Sequence, residues 1–146
     1  MVADAEIVRE RSARIRRYLR DLRLMSDLST EAFSENRERQ YAVLHALQLA
    51  IEASIEIGTH ICSADALGIP GSYAETFDFL EQGGVITPPL SAKLRAMARF
   101  RNRIVHFYWE VDLDEVYRIL KEHLGDLDEY LVAIECYLAP PSAPHA

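Results

Sequence analysis

Four polar side chains within residues 101–110, RNRIVHFYWE, are of types that could act together on a phosphate group: Arg101, Asn102, His106 and Tyr108. Arginine binds phosphate through a planar fork of N–H groups and can stabilise the charge that develops there in a transition state. Histidine can take up and return a proton near neutral pH. An arginine and a histidine are therefore a minimal set for cleaving a phosphodiester, and this set needs no metal ion and no cofactor.

The spacing of these residues decides how one helix could present them. Apolar periodicity predicts a helix from residue 88 to about 106. His106 would then lie at the C-terminal end, where unpaired carbonyl groups and the helix dipole favour the imidazolium. Arg101 lies five residues earlier, about 140° around a regular helix of ~3.6 residues per turn. We therefore expect the helix to fray or end near His106, so that both side chains reach one phosphate, although spacing alone favours a histidine that only complements the helix end.

The elements that carry this motif are predicted to be helices throughout, because apolar residues recur at three- and four-residue steps. Five helices are expected: residues 4–26, from Ser29 or Thr30 to about 66, a short helix from Ser72, 88–106, and from Asp112 to about 138. Ser72 with Glu75 and Asp112 with Glu115 fit capping boxes, and Thr87 fits a cap before Pro88. The predicted fold class is all-α, an antiparallel up-down bundle of four main helices plus one short helix. It forms a single domain over residues 1–138, with a disordered tail at 139–146.

Composition limits the partners and the compartment. The 146 residues are 49% apolar and carry a net charge of -7, which suits one folded domain and disfavours a DNA-binding surface. The first residues are acidic and lack the apolar segment of a signal peptide, and no run approaches ~18 consecutive apolar residues. We therefore expect a cytoplasmic protein with neither DNA nor a membrane as partner. Cys62 and Cys136 lie in apolar helical patterns, so both are expected to be core residues in a reducing compartment.

The form R-x4-H-x-Y, with Asn102 directly after the arginine, resembles the HEPN superfamily, and within it the HepT toxins of the MNT–HEPN toxin–antitoxin systems. The resemblance covers nearly the whole chain. It implies a HEPN-like fold and the toxin of a type VII-like system, a metal-independent RNA endonuclease active as a homodimer. It also implies a cognate MNT-type nucleotidyltransferase antitoxin that neutralises the toxin by adding AMP to Tyr108. By the same resemblance Arg101 and His106 are catalytic, and Asn102 positions the substrate or Arg101.

A homodimer also suits the chemistry of RNA cleavage. Attack by the ribose 2′-hydroxyl needs a base for that hydroxyl and an acid for the leaving 5′-oxygen, whereas one chain offers a single motif histidine. A two-fold axis beside the motif would bring two histidines and two arginines together. Because the chain is acidic overall, the RNA-binding cleft must be locally basic, and Arg99, Arg101 and Arg103 could supply that charge.

Two other functions fit the same helices: a non-catalytic dimeric adaptor for a nucleotidyltransferase, and a small-molecule-binding bundle. An intact pair of Arg101 and His106 favours the enzyme, because an adaptor has no need of both. Glu52, Glu56 and His60 share a stripe that a metal ion could use, but no Glu-x-x-His pair accompanies it. A solvated or interface stripe is the expectation there.

Two further clusters have simple structural interpretations. Phe107, Tyr108 and Trp109 could stack a base but are expected in the core or a dimer interface. The first helix carries seven arginines on its outer face. They are expected to be solvated and paired with the nearby acids Asp4, Glu6, Glu10 and Asp21.

Overall fold

The computed structural model describes residues 3–139 and is all-α over that range, which confirms the predicted fold class. Its helices are α1 (Ala5–Leu24), α2 (Thr30–Glu35), α3 (Arg37–Ala64), α4 (Tyr73–Gln82), α5 (Pro88–His106), α6 (Leu113–Glu122) and α7 (Leu124–Leu138). A 3₁₀ turn, Tyr108–Glu110, follows α5. The predicted disordered tail lies outside the described residues from position 140 onward. No helix within residues 3–139 is long and apolar enough to cross a membrane.

Two of the predicted helices are each divided in two, so the prediction of four main helices plus one short helix was wrong in number. The second predicted helix breaks at Asn36, whose backbone is extended and whose Oδ1 accepts a hydrogen bond from the Arg39 N–H at 2.9 Å. The last predicted helix breaks at His123, where α6 ends and α7 begins. The apolar periodicity continues across both breaks, so it could not reveal either one.

Polar caps set most helix starts as predicted. The side chains of Ser29, Ser72 and Thr87 each accept a hydrogen bond from a backbone N–H of the first helical turn, which satisfies a donor that the helix leaves free. The two predicted capping boxes were wrong for their glutamates, neither of which accepts a hydrogen bond from the backbone N–H of its cap residue. Glu75 accepts from the Gly71 N–H at 2.9 Å, and Glu115 forms an ion pair with Arg103.

The 28-residue α3 is the central helix of the bundle, and α1, α4 and α5 pack around it. Twelve of its residues are buried, from Val43 to Cys62. Gly58 of α3 faces both α4 and α7: a Cβ there would stand 2.7 Å from Thr76 Cγ2 and 3.3 Å from Tyr130 Oη. The Tyr130 hydroxyl is buried and donates to the Ser54 carbonyl at 2.9 Å. This close packing fixes the backbone of α4, which borders the candidate site.

The cysteine prediction holds for one residue only. Cys62 is buried in the core and Cys136 is exposed on α7, and both are free thiols. Burial raises the pKa of the Cys62 thiol above its ordinary value. Cys136 lies on the outer side of α7, so the apolar pattern around it was misread as a core face.

The arginines of α1 connect helices more than they pair with their own neighbours. Ion pairs link Arg11 to Glu56 on α3, Arg16 to Glu135 on α7 and Arg23 to Asp128 on α7. Of the four nearby acids expected as partners, Glu10 alone forms ion pairs within the described chain, with Arg11 and Arg14. Exposed pairs of this kind contribute at most about 1 kcal/mol each, so they orient α1 more than they stabilise it.

Candidate active site

The C-terminal end of α5 carries the motif and is regular to its last residue. Helix α5 ends at His106, as predicted, and the Phe107 N–H still donates to the Arg103 carbonyl at 2.9 Å. The helix therefore does not fray before the histidine. Arg101 and His106 keep the angular separation of about 140° that five residues of regular helix impose, and within one chain they border different clefts.

Arg101 is held in a fixed orientation by three neighbouring side chains. Its Nε and Nη2 donate to the same carboxylate oxygen, Oε1 of Glu52, at 3.1 and 2.9 Å. Its Nη1 donates to Asn102 Oδ1 at 3.3 Å. The guanidinium also lies over the Tyr73 ring, 5.0 Å from the centroid. With 14% of its side chain exposed, Arg101 is a largely enclosed cation.

His106 stands at an open cleft of about 570 Å³ between α4 and the end of α5. Thr59, Tyr73, Thr76, Asn102 and Phe107 are among the other lining residues. The imidazole is exposed and makes no hydrogen bond within residues 3–139, so both ring nitrogens are accessible to a ligand. Asn102 lines this cleft and also accepts from Arg101, so it connects the surroundings of the two motif residues.

Tyr108 lies beyond the helix end and faces a different neighbour. Its ring packs against Tyr41 of α3, with centroids 6.5 Å apart, and it is absent from the lining of the His106 cleft. Partial burial, with a smaller contribution from Tyr41, raises the pKa of the Tyr108 phenol, and the charge of Arg37 opposes this shift. The phenol is therefore protonated at neutral pH, and any reaction at its oxygen must also remove that proton.

The arginines expected to make the cleft basic are largely neutralised by acids. Arg101 pairs with Glu52, and Arg103 pairs with Glu115 on α6. Arg99 is exposed and forms no ion pair within the described part of the chain. Of these three arginines, Arg99 alone has no ion pair in the described chain, so they contribute less unpaired positive charge than the sequence alone suggested.

The aromatic residues after α5 form an exposed apolar surface. Trp109 is 77% exposed, and Phe107, which packs edge-on against it with centroids 6.1 Å apart, is 48% exposed. Tyr41, Val105 and Tyr108 are exposed beside them. These side chains are therefore not part of the core of the chain. Surfaces of this kind on a water-facing protein mark contacts with another molecule.

The acidic stripe of α3 is divided among three separate partners. Glu52 binds Arg101, Glu56 binds Arg11, and His60 Nε2 accepts from the Asp4 N–H at 2.8 Å. Among residues 3–139, no group of three or more His, Cys, Asp and Glu side chains could hold a metal ion. The stripe is thus a set of interhelical contacts, of which one reaches the motif arginine.

Comparison with known proteins places this arrangement in a family. A family model described as Ribonuclease HepT-like matches residues 15–134. The chain belongs to the HepT-like ribonuclease family. It is 38% identical over 103 residues to the mRNA nuclease HepT of Shewanella oneidensis, covering 70% of this chain and 77% of the relative. It is 30% identical over 132 residues to the tRNA nuclease HepT of Aphanizomenon flos-aquae, covering 90% of each protein.

A solved structure extends the similarity to the whole HepT-like fold. This structure is the tri-AMPylated Shewanella oneidensis HEPN toxin in complex with its MNT antitoxin. The two chains align with a TM-score of 0.85 and 34% identity, over 91% of this chain and 99% of the toxin. The family resemblance drawn from R-x4-H-x-Y is confirmed, together with ribonuclease membership.

Sequence reasoning missed two residues that this HepT-like ribonuclease places on the motif arginine. Glu52 was interpreted as part of a solvated or interface stripe, and Tyr73 was not singled out as a candidate site residue. The one available signal was the position of Glu52 on a central helix, where an unpaired carboxylate is costly and so predicts a cationic partner. Nothing in the sequence identified that partner as Arg101, which is 49 residues away.

Proposed function

We propose that this HepT-like ribonuclease is the toxin of a type VII-like toxin–antitoxin pair and that it cuts RNA in the cytoplasm without a metal ion. Arg101 holds the scissile phosphate, Asn102 positions substrate and arginine, and His106 moves the proton. The ribose 2′-oxygen bonds to phosphorus as it loses its proton. The bond from phosphorus to the 5′-oxygen breaks, and that oxygen is protonated. The products are a 2′,3′-cyclic phosphate and a 5′-hydroxyl end.

The observation that carries this proposal is the placement of Asn102. It lines the cleft at which His106 stands, and its Oδ1 accepts a hydrogen bond from Arg101. A proton-transfer group and a phosphate-binding group are thus joined through one polar side chain at the edge of a cleft large enough for a nucleotide. Clefts of roughly 300–1,000 Å³ are the usual size for such ligands.

The active form we propose is a homodimer. In one chain the side chains of Arg101 and His106 point to different sides of α5, and the reaction needs both a base and an acid. A two-fold axis beside the end of α5 supplies a second copy of each and covers the exposed apolar surface of Phe107 and Trp109. Sedimentation analysis at micromolar concentration should show a dimer, and a monomer under those conditions contradicts this part of the proposal.

Control is proposed to act through Tyr108 and a cognate MNT-type nucleotidyltransferase, as the AMPylated relative with its MNT antitoxin suggests. The phenol oxygen bonds to the α-phosphorus of a nucleoside triphosphate, pyrophosphate leaves, and the partner enzyme accepts the phenol proton. The added phosphodiester places a negative charge close to the motif. It repels the RNA backbone at short range, where salt screens least, and the nucleotide itself blocks access.

The activity is tested with alanine variants and matched controls. His106→Ala and Arg101→Ala should each lower the cleavage rate by ~10²–10⁴-fold, while circular dichroism stays unchanged. Arg20→Ala, which alters an exposed residue of α1, should cleave normally. Both tRNA and mRNA should be offered, because the two named relatives differ in this respect. Cleavage that requires added magnesium, or full activity in His106→Ala, would refute the mechanism.

The control mechanism is tested by intact mass after co-expression with the nucleotidyltransferase. The wild-type chain should gain AMP-sized increments that map to Tyr108. Tyr108→Phe should stay toxic and gain none, whereas Tyr41→Phe, which alters the neighbouring ring, should still be modified. Increments on a peptide that lacks Tyr108 mean that neutralisation works in another way.

A further inference from the structure

We infer that Glu52 is a positioning residue for the phosphate-binding arginine: it orients the Arg101 guanidinium so that one edge of its fork faces the substrate. This inference rests on the proposed function, because it assigns Arg101 the scissile phosphate. Glu52 Oε1 accepts from Arg101 Nε at 3.1 Å and from Arg101 Nη2 at 2.9 Å. The two donors belong to the same side-on edge of the guanidinium, so the plane of the group is fixed and not merely its position.

Glu52 is itself held in place before it contacts the arginine. Gln48, one turn earlier on α3, donates from Nε2 to the same Oε1 at 3.0 Å. On either side of Glu52 in the chain, Ile51 and Ala53 are buried in the core, which anchors the backbone of α3 at this point. Glu52 Oε1 thus accepts three hydrogen bonds from donors on two helices.

Tyr73 restricts the guanidinium from a third helix. Its ring lies against one face of the group, with Arg101 Cζ 5.0 Å from the centroid, a distance at which an aromatic face attracts a cation. Glu52 therefore determines the in-plane orientation and Tyr73 covers one face. Together they leave Arg101 few of the rotamers that an exposed arginine would sample.

The remaining edge of Arg101 is the one that suits a phosphate. A guanidinium has five N–H groups in a fixed planar fork. Glu52 takes those on Nε and on one side of Nη2, so the end-on pair from Nη1 and Nη2 remains, with only the long 3.3 Å contact from Nη1 to Asn102 Oδ1. Two parallel N–H groups at this end match the two oxygens of a phosphate.

The opposite role for Glu52, as a competitor that occupies Arg101 until RNA arrives, predicts the reverse effect of mutation. A competing carboxylate lowers affinity, so its removal raises the activity. A positioning carboxylate improves alignment, so its removal lowers the turnover rate. Misplacement of a catalytic group by about 1 Å can cost on the order of 10²-fold in rate. The sign of the change therefore separates the two roles.

The experiment compares Glu52→Ala and Glu52→Gln with Glu135→Gln, which removes a carboxylate from a different interhelical ion pair, that with Arg16. Cleavage is measured on an RNA oligonucleotide that contains the mapped cleavage site. We expect kcat to fall on the order of 10²-fold in Glu52→Ala, with KM changed less. The fall should be smaller in Glu52→Gln, whose amide oxygen still accepts from Arg101. Glu135→Gln should match the wild type.

A second readout distinguishes positioning from a merely structural role. The same oligonucleotide is prepared with a phosphorothioate of either stereochemistry at the scissile linkage. Wild-type protein should cut one stereoisomer more slowly than the other, because an oriented Arg101 contacts one non-bridging oxygen, and the Glu52 variants should lose this discrimination. Wild-type rates in both variants, faster cleavage in either, or slower cleavage with unchanged discrimination would overturn the inference.

The outcome also separates this inference from the proposed function. If Arg101→Ala cleaves like the wild type, the proposed function fails, because the arginine then does not hold the phosphate. If Arg101→Ala is inactive while Glu52→Ala and Glu52→Gln cleave normally, the proposed function stands and the role of Glu52 is refuted.

Discussion

Replacing Gly58 by alanine should destabilise the protein, although alanine has a higher helix propensity than glycine. The new Cβ would stand 2.7 Å from Thr76 Cγ2, 3.1 Å from Leu80 Cδ1 and 3.3 Å from Tyr130 Oη. Both Thr76 and Leu80 lie on α4, so their side chains, or α4 with them, must shift away from α3. Overpacking of this kind costs about 1–3 kcal/mol, and alanine regains about 1 kcal/mol through its higher helix propensity. The expected net loss is therefore about 0–2 kcal/mol in the free energy of unfolding.

Gly125→Ala is the matched control, because a Cβ on this residue of α7 has no atom within 4 Å. It should stabilise the protein by about 0.4–1 kcal/mol. The free energy of unfolding should therefore be lower in Gly58→Ala than in Gly125→Ala. Urea unfolding followed by circular dichroism, at one fixed protomer concentration so that association does not interfere, measures the difference. A Gly58→Ala protein as stable as Gly125→Ala would refute the packing argument.

Three further predictions concern two tyrosines and the exposed apolar surface. Tyr130→Phe removes the hydrogen bond to the Ser54 carbonyl and should lower the free energy of unfolding by about 1 kcal/mol; an unchanged urea midpoint contradicts this. Burial, as the larger cause, and the hydrogen bond to Asp65 raise the pKa of Tyr137 to about 12. Because its unfolded pKa is about 10, the stability from Tyr137 is complete below about pH 10 and is lost as pH rises from there toward 12. Tyr137→Phe should therefore flatten the fall of Tm across that window, and an equally steep fall refutes it. Trp109→Ser, at a side chain that is 77% exposed, should leave the Tm of the monomer unchanged and shift sedimentation toward the monomer; an intact dimer places the interface elsewhere.

Local chemistry explains which parts of the fold could be predicted from the sequence. Thr87 before Pro88 identified the start of α5, because a cap and the residue after it act within one helical turn. The end of α5 near His106 was predicted from the apolar periodicity of the helix, which stops there. The break at Asn36 was missed although asparagine is a good cap, because the apolar periodicity on both sides is in phase and a cap inside a continuous pattern carries little weight.

Interhelical contacts could not be predicted, because the sequence shows which residues share a face but not what that face meets. Glu52, Glu56 and His60 have the same four-residue spacing, yet they contact α5, α1 and the N-cap residue of α1. The acids expected beside the α1 arginines were close in sequence, while most of the observed partners lie on α3 and α7. Charge pairing therefore follows the packing of helices, which depends on the whole core.

The five-residue spacing between Arg101 and His106 could likewise be interpreted only once the neighbours of α5 were known. A regular α5 directs the two side chains about 140° apart, and Arg101 contacts Glu52 and Tyr73. Within one chain, the guanidinium that we propose binds the phosphate and the exposed imidazole of His106 therefore do not converge. Under the proposed function, this separation is the reason to expect a second copy of the chain, since an arginine free to turn could have reached the histidine within one chain. A weaker dimer in Trp109→Ser should consequently lose cleavage in proportion to the lost dimer, although Trp109 carries no group that could move a proton.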